Sequence, residues 1–184
     1  MSVPEASLIK YGIQTEDSHI RVHVCPVVKR VYVYPTITGV EAIESGKFPK
    51  VAGYQTDHEG PTAEGYLVPP FAIRKCVGLV FSERAWQKFR FSRDDALSVK
   101  GDKATRLVLA MLREGLLPLP RVAREVKDRD LQIQGMDIVV PAQVVMGEDI
   151  RIQVKCDYDG GENQLGGTGN LFLQESEYNP FHHL

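Results

Sequence analysis

Three residues in the last third of the chain have the types and spacing for phosphate chemistry. Gln134–Asp157 reads QGMDIVVPAQVVMGEDIRIQVKCD, two short apolar strands joined by a polar loop, with Asp137 opening the first and Gln153 and Lys155 on the second. Strand side chains alternate faces, so Gln153 and Lys155 share one face while Ile152 and Val154 point the other way. An acid, an amide carbonyl and an ammonium thus converge at one edge of a small sheet. Such a group can hold a divalent metal and activate a water beside a phosphate. A cross-strand ion pair between Asp137 and Lys155, worth little when exposed, is the competing explanation.

The elements that must position these groups precede and follow them. KGDKATRLVLAMLREGLLPLP is the clearest helix, with Gly101 and Asp102 at its start, Leu107, Leu109, Ala110, Met111 and Leu112 on a wide apolar face, and Gly115 as its C-terminal cap. Lys100, Lys103 and Arg106 cluster in its first turns, against the helix dipole. A bound phosphate would relieve that repulsion, which makes these three the candidate nucleic-acid contacts; a solvated basic surface explains them equally. RVAREV gives a short strand, Gly147 a turn, and NLFLQE a last strand after a glycine-rich loop.

Upstream, Ile20, Val22 and Val24 alternate with Arg21 and His23, and Val31 and Val33 with Tyr32 and Tyr34, predicting a hairpin turned near Pro26–Lys29. His19 and His23 fall on one strand face but far apart, a poor metal pair. The segment GVEAIESGKFP predicts a helical turn or two, and AGYQTDHEGPTAEGYLVPP a long loop. Phe71–Phe81 predicts a strand pair or one long strand. SERAWQKFRF predicts a short helix capped by Ser82, with Trp86 in the core and Arg84, Lys88 and Arg90 exposed.

The chain has 184 residues and a formal charge of −2, so it is not a basic nucleic-acid binder as a whole. Charge is nevertheless segregated: Arg84–Arg129 carries 12 basic and 6 acidic residues, and Asp130–Leu184 carries 2 basic and 9 acidic. A basic middle beside an acidic tail fits a phosphate-binding helix next to metal-binding carboxylates, although solvated faces also segregate by chance. Cys25, Cys76 and Cys156 lack zinc-ligand spacing and read as reduced thiols of a cytoplasmic protein. No signal peptide and no apolar run long enough for a membrane helix is seen.

The run from Gly101 to Lys155 resembles the PD-(D/E)xK nuclease superfamily, which includes restriction endonucleases and Holliday-junction resolvases. That core is a helix followed by a three-stranded hairpin sheet, with an Asp on the second strand and an acid-x-Lys triplet on the third. Here GMDIVV matches the Asp strand and IQVK the triplet. The resemblance implies an α+β, restriction-endonuclease-like core at residues 96–184 behind a β-rich N-terminal region at 1–95. It implies Asp137, Gln153 and Lys155 as catalytic residues, and Asp137, Gln153 and the backbone carbonyl of Val154 as ligands of Mg²⁺ or Mn²⁺. The expected activity is cleavage of nucleic acid, DNA rather than RNA. A homodimer is compatible, since two-fold symmetry lets each subunit cut one strand.

Two positions depart from the pattern. Gln153 stands where most members carry an acid, and Thr105 where the resolvase-like pattern has a Glu, with Asp102 or Glu125 as substitutes. Asp157, Asp159 and Glu175 are further acids within reach. The departures keep a second function open: a catalytically inactive relative that binds nucleic acid or a protein partner.

Overall fold

The computed structural model describes residues 19–52, 64–80, 83–92, 94–117, 124–125, 137–141, 149–157 and 170–175. The fold is mixed α+β. Six strands, Val77–Val80, Arg30–Pro35, His19–Cys25, Ile150–Cys156, Ile138–Val140 and Arg124–Glu125, lie side by side in that order in one sheet, and Lys50–Ala52, Glu64–Val68 and Leu171–Gln174 form a second.

β1 (His19–Cys25) and β2 (Arg30–Pro35) form the expected antiparallel hairpin, with Val22 opposite Val33 and Cys25 opposite Arg30. The alternation has a simple reason. Ile20, Val22, Val24, Val31 and Val33 all face one core, while Cys25 and Tyr34 face another. β1 is therefore buried on both sides.

The helix starts earlier than its Gly-Asp pair suggests. α3 spans Leu97–Arg113, so Gly101 lies inside it, with open space around the position a Cβ would take. The C-terminal end is as expected. Gly115 has φ +72°, its N–H donates to Leu112 O at 3.0 Å, and Leu116 N–H donates to Met111 O at 2.9 Å. This double clasp requires a left-handed residue, which glycine adopts without a Cβ penalty. Leu107, Val108, Met111 and Leu112 of α3 pack with Trp86 of α2 (Glu83–Phe89) onto the Val/Ile face of the large sheet. Full burial of such a side chain stabilises by roughly 1.5–3 kcal/mol, so this layer supplies much of the driving force.

On the far face, α1 (Thr36–Glu44) and the small sheet form a third layer. That sheet consists of β3 (Lys50–Ala52), β4 (Glu64–Val68) and β9 (Leu171–Gln174). The sequence reads 64–68 as loop. It is a strand because Tyr66 and Val68, two residues apart, both face the second core, and because Gly65 lets β9 come close: an added Cβ there would lie 2.5 Å from Leu173 O. The Phe71–Phe81 stretch is shorter in strand than expected: Pro70–Ala72 is a 3-10 turn, and only β5 (Val77–Val80) is extended. Two prolines before Phe71 set that turn.

The last three strands of the large sheet are β6 (Arg124–Glu125), β7 (Ile138–Val140) and β8 (Ile150–Cys156), paired as an antiparallel meander. β8 then runs parallel to β1, with Val22 beside Val154 and His23 beside Lys155. Strands drawn from 19–80 and from 124–156 hence share one sheet. β9 likewise leaves the large sheet to pair with β4, with Tyr66 opposite Leu173. The parallel β1–β8 pair joins distant parts of the chain, and hydrophobic alternation carries no information about such partners. The expected cap Ser82, the turn at Gly147, Asp159 and the glycine-rich loop lie outside the described residues.

Candidate functional site

Strand alternation puts Val154 into the core under α3 and leaves Gln153 and Lys155 half-buried on the opposite face of β8. Asp137 immediately precedes β7 and is clipped to β8 twice. Its N–H donates to Ile152 O at 2.9 Å, and its carboxylate Oδ2 accepts from Val154 N–H at 2.8 Å. The two bonds bracket Gln153. The three residues singled out from sequence are thereby brought to one short length of β8, with Asp137 half-buried and its rotamer fixed by a charge-assisted bond.

β1 extends this polar face. Arg21 lies beside Gln153, and His23 beside Lys155. Both are buried, at 2% and 1% exposure. His23 Nε2 and Tyr34 Oη are 2.7 Å apart and hydrogen-bonded. The other ring nitrogen, Nδ1, has no hydrogen-bond partner among the described residues and lies 3.8 Å from Asp157 Oδ2. Asp157 accepts from Phe172 N–H at 3.0 Å, while its own N–H donates to Val24 O at 2.8 Å. It therefore ties β8, β1 and β9 together at the end of the site. Arg21, His23 and Tyr34 are the residues that the sequence reading did not assign. The signal was there, a polar set alternating with Val in a hairpin, but only the β1–β8 pairing shows that it adjoins Lys155.

The flanking acids divide. Glu175 lies 2.7 Å from Lys50 Nζ, in an ion pair that also includes Glu64 at 3.2 Å; together they raise the Lys50 ammonium above its ordinary range. Asp102 is exposed on α3, Glu125 half-buried on β6, and Thr105 buried at 9% exposure.

The basic residues of α3 also separate. Arg106 is exposed and Lys100 half-buried. Lys103 Nζ donates to Asp95 at 2.6 Å and to the Arg90 carbonyl at 2.8 Å. Lys103 in turn holds the Asp95 carboxyl below its usual range, mainly through that hydrogen bond. The anion called for at the start of α3 is thus supplied by the chain itself. Both Lys100 and Asp95 act electrostatically on Cys156, so this end of α3 adjoins the end of β8. Burial is the larger effect on that thiol, pushing it up to about 12.

The donors around β8 are the Asp137 carboxylate, the Gln153 amide oxygen and the Val154 carbonyl. All are hard oxygens of the kind that Mg²⁺ and Mn²⁺ take, but they carry one formal charge. Among the described residues, no group of three or more His, Cys, Asp or Glu is placed to hold a metal ion. The donor set therefore fits a weakly held hard divalent cation and not a zinc-type site. No protein-family model, curated protein or solved structure matches the chain. No helix among the described residues is long and apolar enough to cross a membrane.

Proposed function

We propose that the chain is a PD-(D/E)xK-type endonuclease that hydrolyses phosphodiester bonds in nucleic acid, DNA rather than RNA, with Mg²⁺ or Mn²⁺. The observation that carries the reading is the 2.8 Å bond from Val154 N–H to Asp137 Oδ2, which draws the one acid onto the Gln-x-Lys triplet. The element order agrees: α3 is followed by the meander β6, β7, β8, with the acid at the second strand and the triplet on the third. β1 then lies parallel beside β8.

Asp137, Gln153 and the Val154 carbonyl would hold the metal, which when bound lowers the pKa of water and polarises the phosphate. Lys155 has donors only. Its role is to orient the attacking water and offset charge gathering on the phosphate oxygens. Water oxygen bonds to phosphorus and the bond to the leaving sugar oxygen breaks; the water gives up a proton and the leaving oxygen takes one, both through solvent. Arg21 sits beside Gln153 and places a second buried cation behind the site. In the test, purified chain nicks supercoiled plasmid on addition of Mn²⁺, and Asp137→Asn lowers the rate at least ~100-fold, the scale of losing one essential charged group. Unchanged nicking by Asp137→Asn rules the reading out.

A catalytically silent binder is the second reading, favoured by Gln153 and by the buried Thr105, which leave one carboxylate at the triplet. It predicts a salt-sensitive gel shift of DNA that stays intact with Mn²⁺. A homodimer accompanies the endonuclease reading, with each subunit cutting one strand, and a cytoplasmic location accompanies either.

A further inference from the structure

Four cations are neutralised by carboxylates of the chain: Lys29 by Glu83, Lys50 by Glu175, Arg74 by Glu41, and Lys103 by Asp95. Arg84, Lys88 and Arg90 are different. All three are exposed, on α2 and just after it, and none forms an ion pair among the described residues. They stand along one wall of a cleft of about 690 Å³ between α2 and α3, a volume within the range of ligand sites. The half-buried Phe89 and Ala110 give the cleft an apolar floor, and Glu114 is the single acid lining it. Arg90 also lines a second cleft, of about 460 Å³, on the other side of α2 with Trp86 and Phe91.

Arg90 is held in an unusual conformation. Its φ is +50°, a left-handed geometry that a residue with a Cβ adopts at a cost. Gln87 O accepts its N–H at 3.2 Å, and Lys103 donates to its carbonyl. The chain thus uses a neutralised lysine to keep an unneutralised arginine on the ridge between two clefts. Strained residues of this kind concentrate where a side chain must be aimed.

We infer that the α2–α3 cleft is a second contact surface for nucleic acid, taking a single-stranded segment whose phosphates meet Arg84, Lys88 and Arg90. The inference rests on the nuclease-fold reading for the identity of the polyanion. The apolar floor decides between strand states. A duplex keeps its bases stacked and gains nothing from Phe89 and Ala110, whereas a single strand can lay a base on them. Lys88 Nζ, 5.8 Å from the Phe89 ring centroid, brings cation and aromatic to the same place.

The test is fluorescence anisotropy with labelled oligothymidylate, alone or annealed to its complement, in EDTA over a range of KCl concentrations. The full chain is compared with Arg84→Ala/Lys88→Ala/Arg90→Gly, with Arg90→Gly alone, and with Lys47→Ala as a control on a distant exposed lysine. Wild type and the Lys47 variant should prefer the single strand. The triple variant should bind at least ~10-fold more weakly, its salt slope reduced by about 2 as three contacts are lost. Arg90→Gly should weaken binding while leaving Tm unchanged or higher, because glycine accepts that φ. Wild-type affinity and slope in the triple variant overturn the inference, and equal affinity for the duplex overturns the single-strand assignment. Mn²⁺-dependent plasmid nicking on the same samples separates the two claims. Nicking together with unaltered binding by the triple variant removes the cleft alone, whereas neither binding nor nicking by wild type removes both.

Discussion

On the α3 side of the six-stranded sheet, the buried residues that β1, β2, β7 and β8 contribute to the core are all Val and Ile: Ile20, Val22, Val24, Val31, Val33, Ile138, Val140, Ile150, Ile152 and Val154. Turned over, the same strands show Arg21, His23, Tyr34, Gln153 and Lys155. One face is uniform and exchangeable in detail, since apolar contacts are non-directional. The other is specific, because each polar group needs a particular partner once water is excluded. The same pleat that packs the first face therefore sets the spacing of the second. Packing and the proposed chemistry fall to alternate residues of the same strands.

The contrast can be broken from either side. Leu112→Ala, under the apolar face, should cost about 2–5 kcal/mol in urea unfolding through the cavity it leaves, the largest loss expected here. Asp157→Ala strikes the polar face. It deprives Phe172 N–H of its acceptor and removes the neighbour of His23, for a loss of about 1–3 kcal/mol. A loss of the larger size from Asp157→Ala would mean that the polar face is as much a part of the stability as the apolar one.

The thiols test both sides through pH. Cys156 packs against the first core and Cys76 against the second, and burial pushes each up to about 12. A folded pKa above the unfolded one means that the native state keeps a proton the unfolded chain releases. The contribution is complete below the ordinary thiol pKa of ~8.5 and is lost as pH rises from there toward about 12. Urea midpoints should fall between pH 7 and pH 10, by about 1–2 kcal/mol per thiol, and Cys156→Ser and Cys76→Ser should each flatten part of that slope. The smallest effect sharpens the chemical face alone: Gln153→Glu restores a charge and should lower the Mn²⁺ concentration for half-maximal nicking about tenfold, or ~1.4 kcal/mol.

Much of this was legible in the sequence, for reasons that differ by element. The β1–β2 hairpin, the end of α3 at Gly115 and the strand β8 follow from alternation, periodicity and turn chemistry, all local. The start of α3 was not legible, because Leu97, Ser98 and Val99 precede a Gly-Asp pair that looks like a boundary. The strand character of 64–68 was hidden by its glycine and following prolines, and emerges only from pairing with β9. At the site, the convergence of Asp137 with Gln153 and Lys155 was readable from strand parity. The neighbours Arg21, His23 and Tyr34 were not, since a parallel partner can come from anywhere in the chain.

That parallel pair also dictates when the protein can exist. Val22 and Val154 lie side by side at the centre of the sheet, yet a ribosome makes one long before the other. Closing so large a loop is slow relative to local contacts, so a nascent chain must carry its hairpin with one backbone edge bare until β8 emerges. A stop codon anywhere before Ile150 would leave that edge permanently open to strands of other molecules, and such fragments should be recovered as aggregates rather than as smaller folded domains.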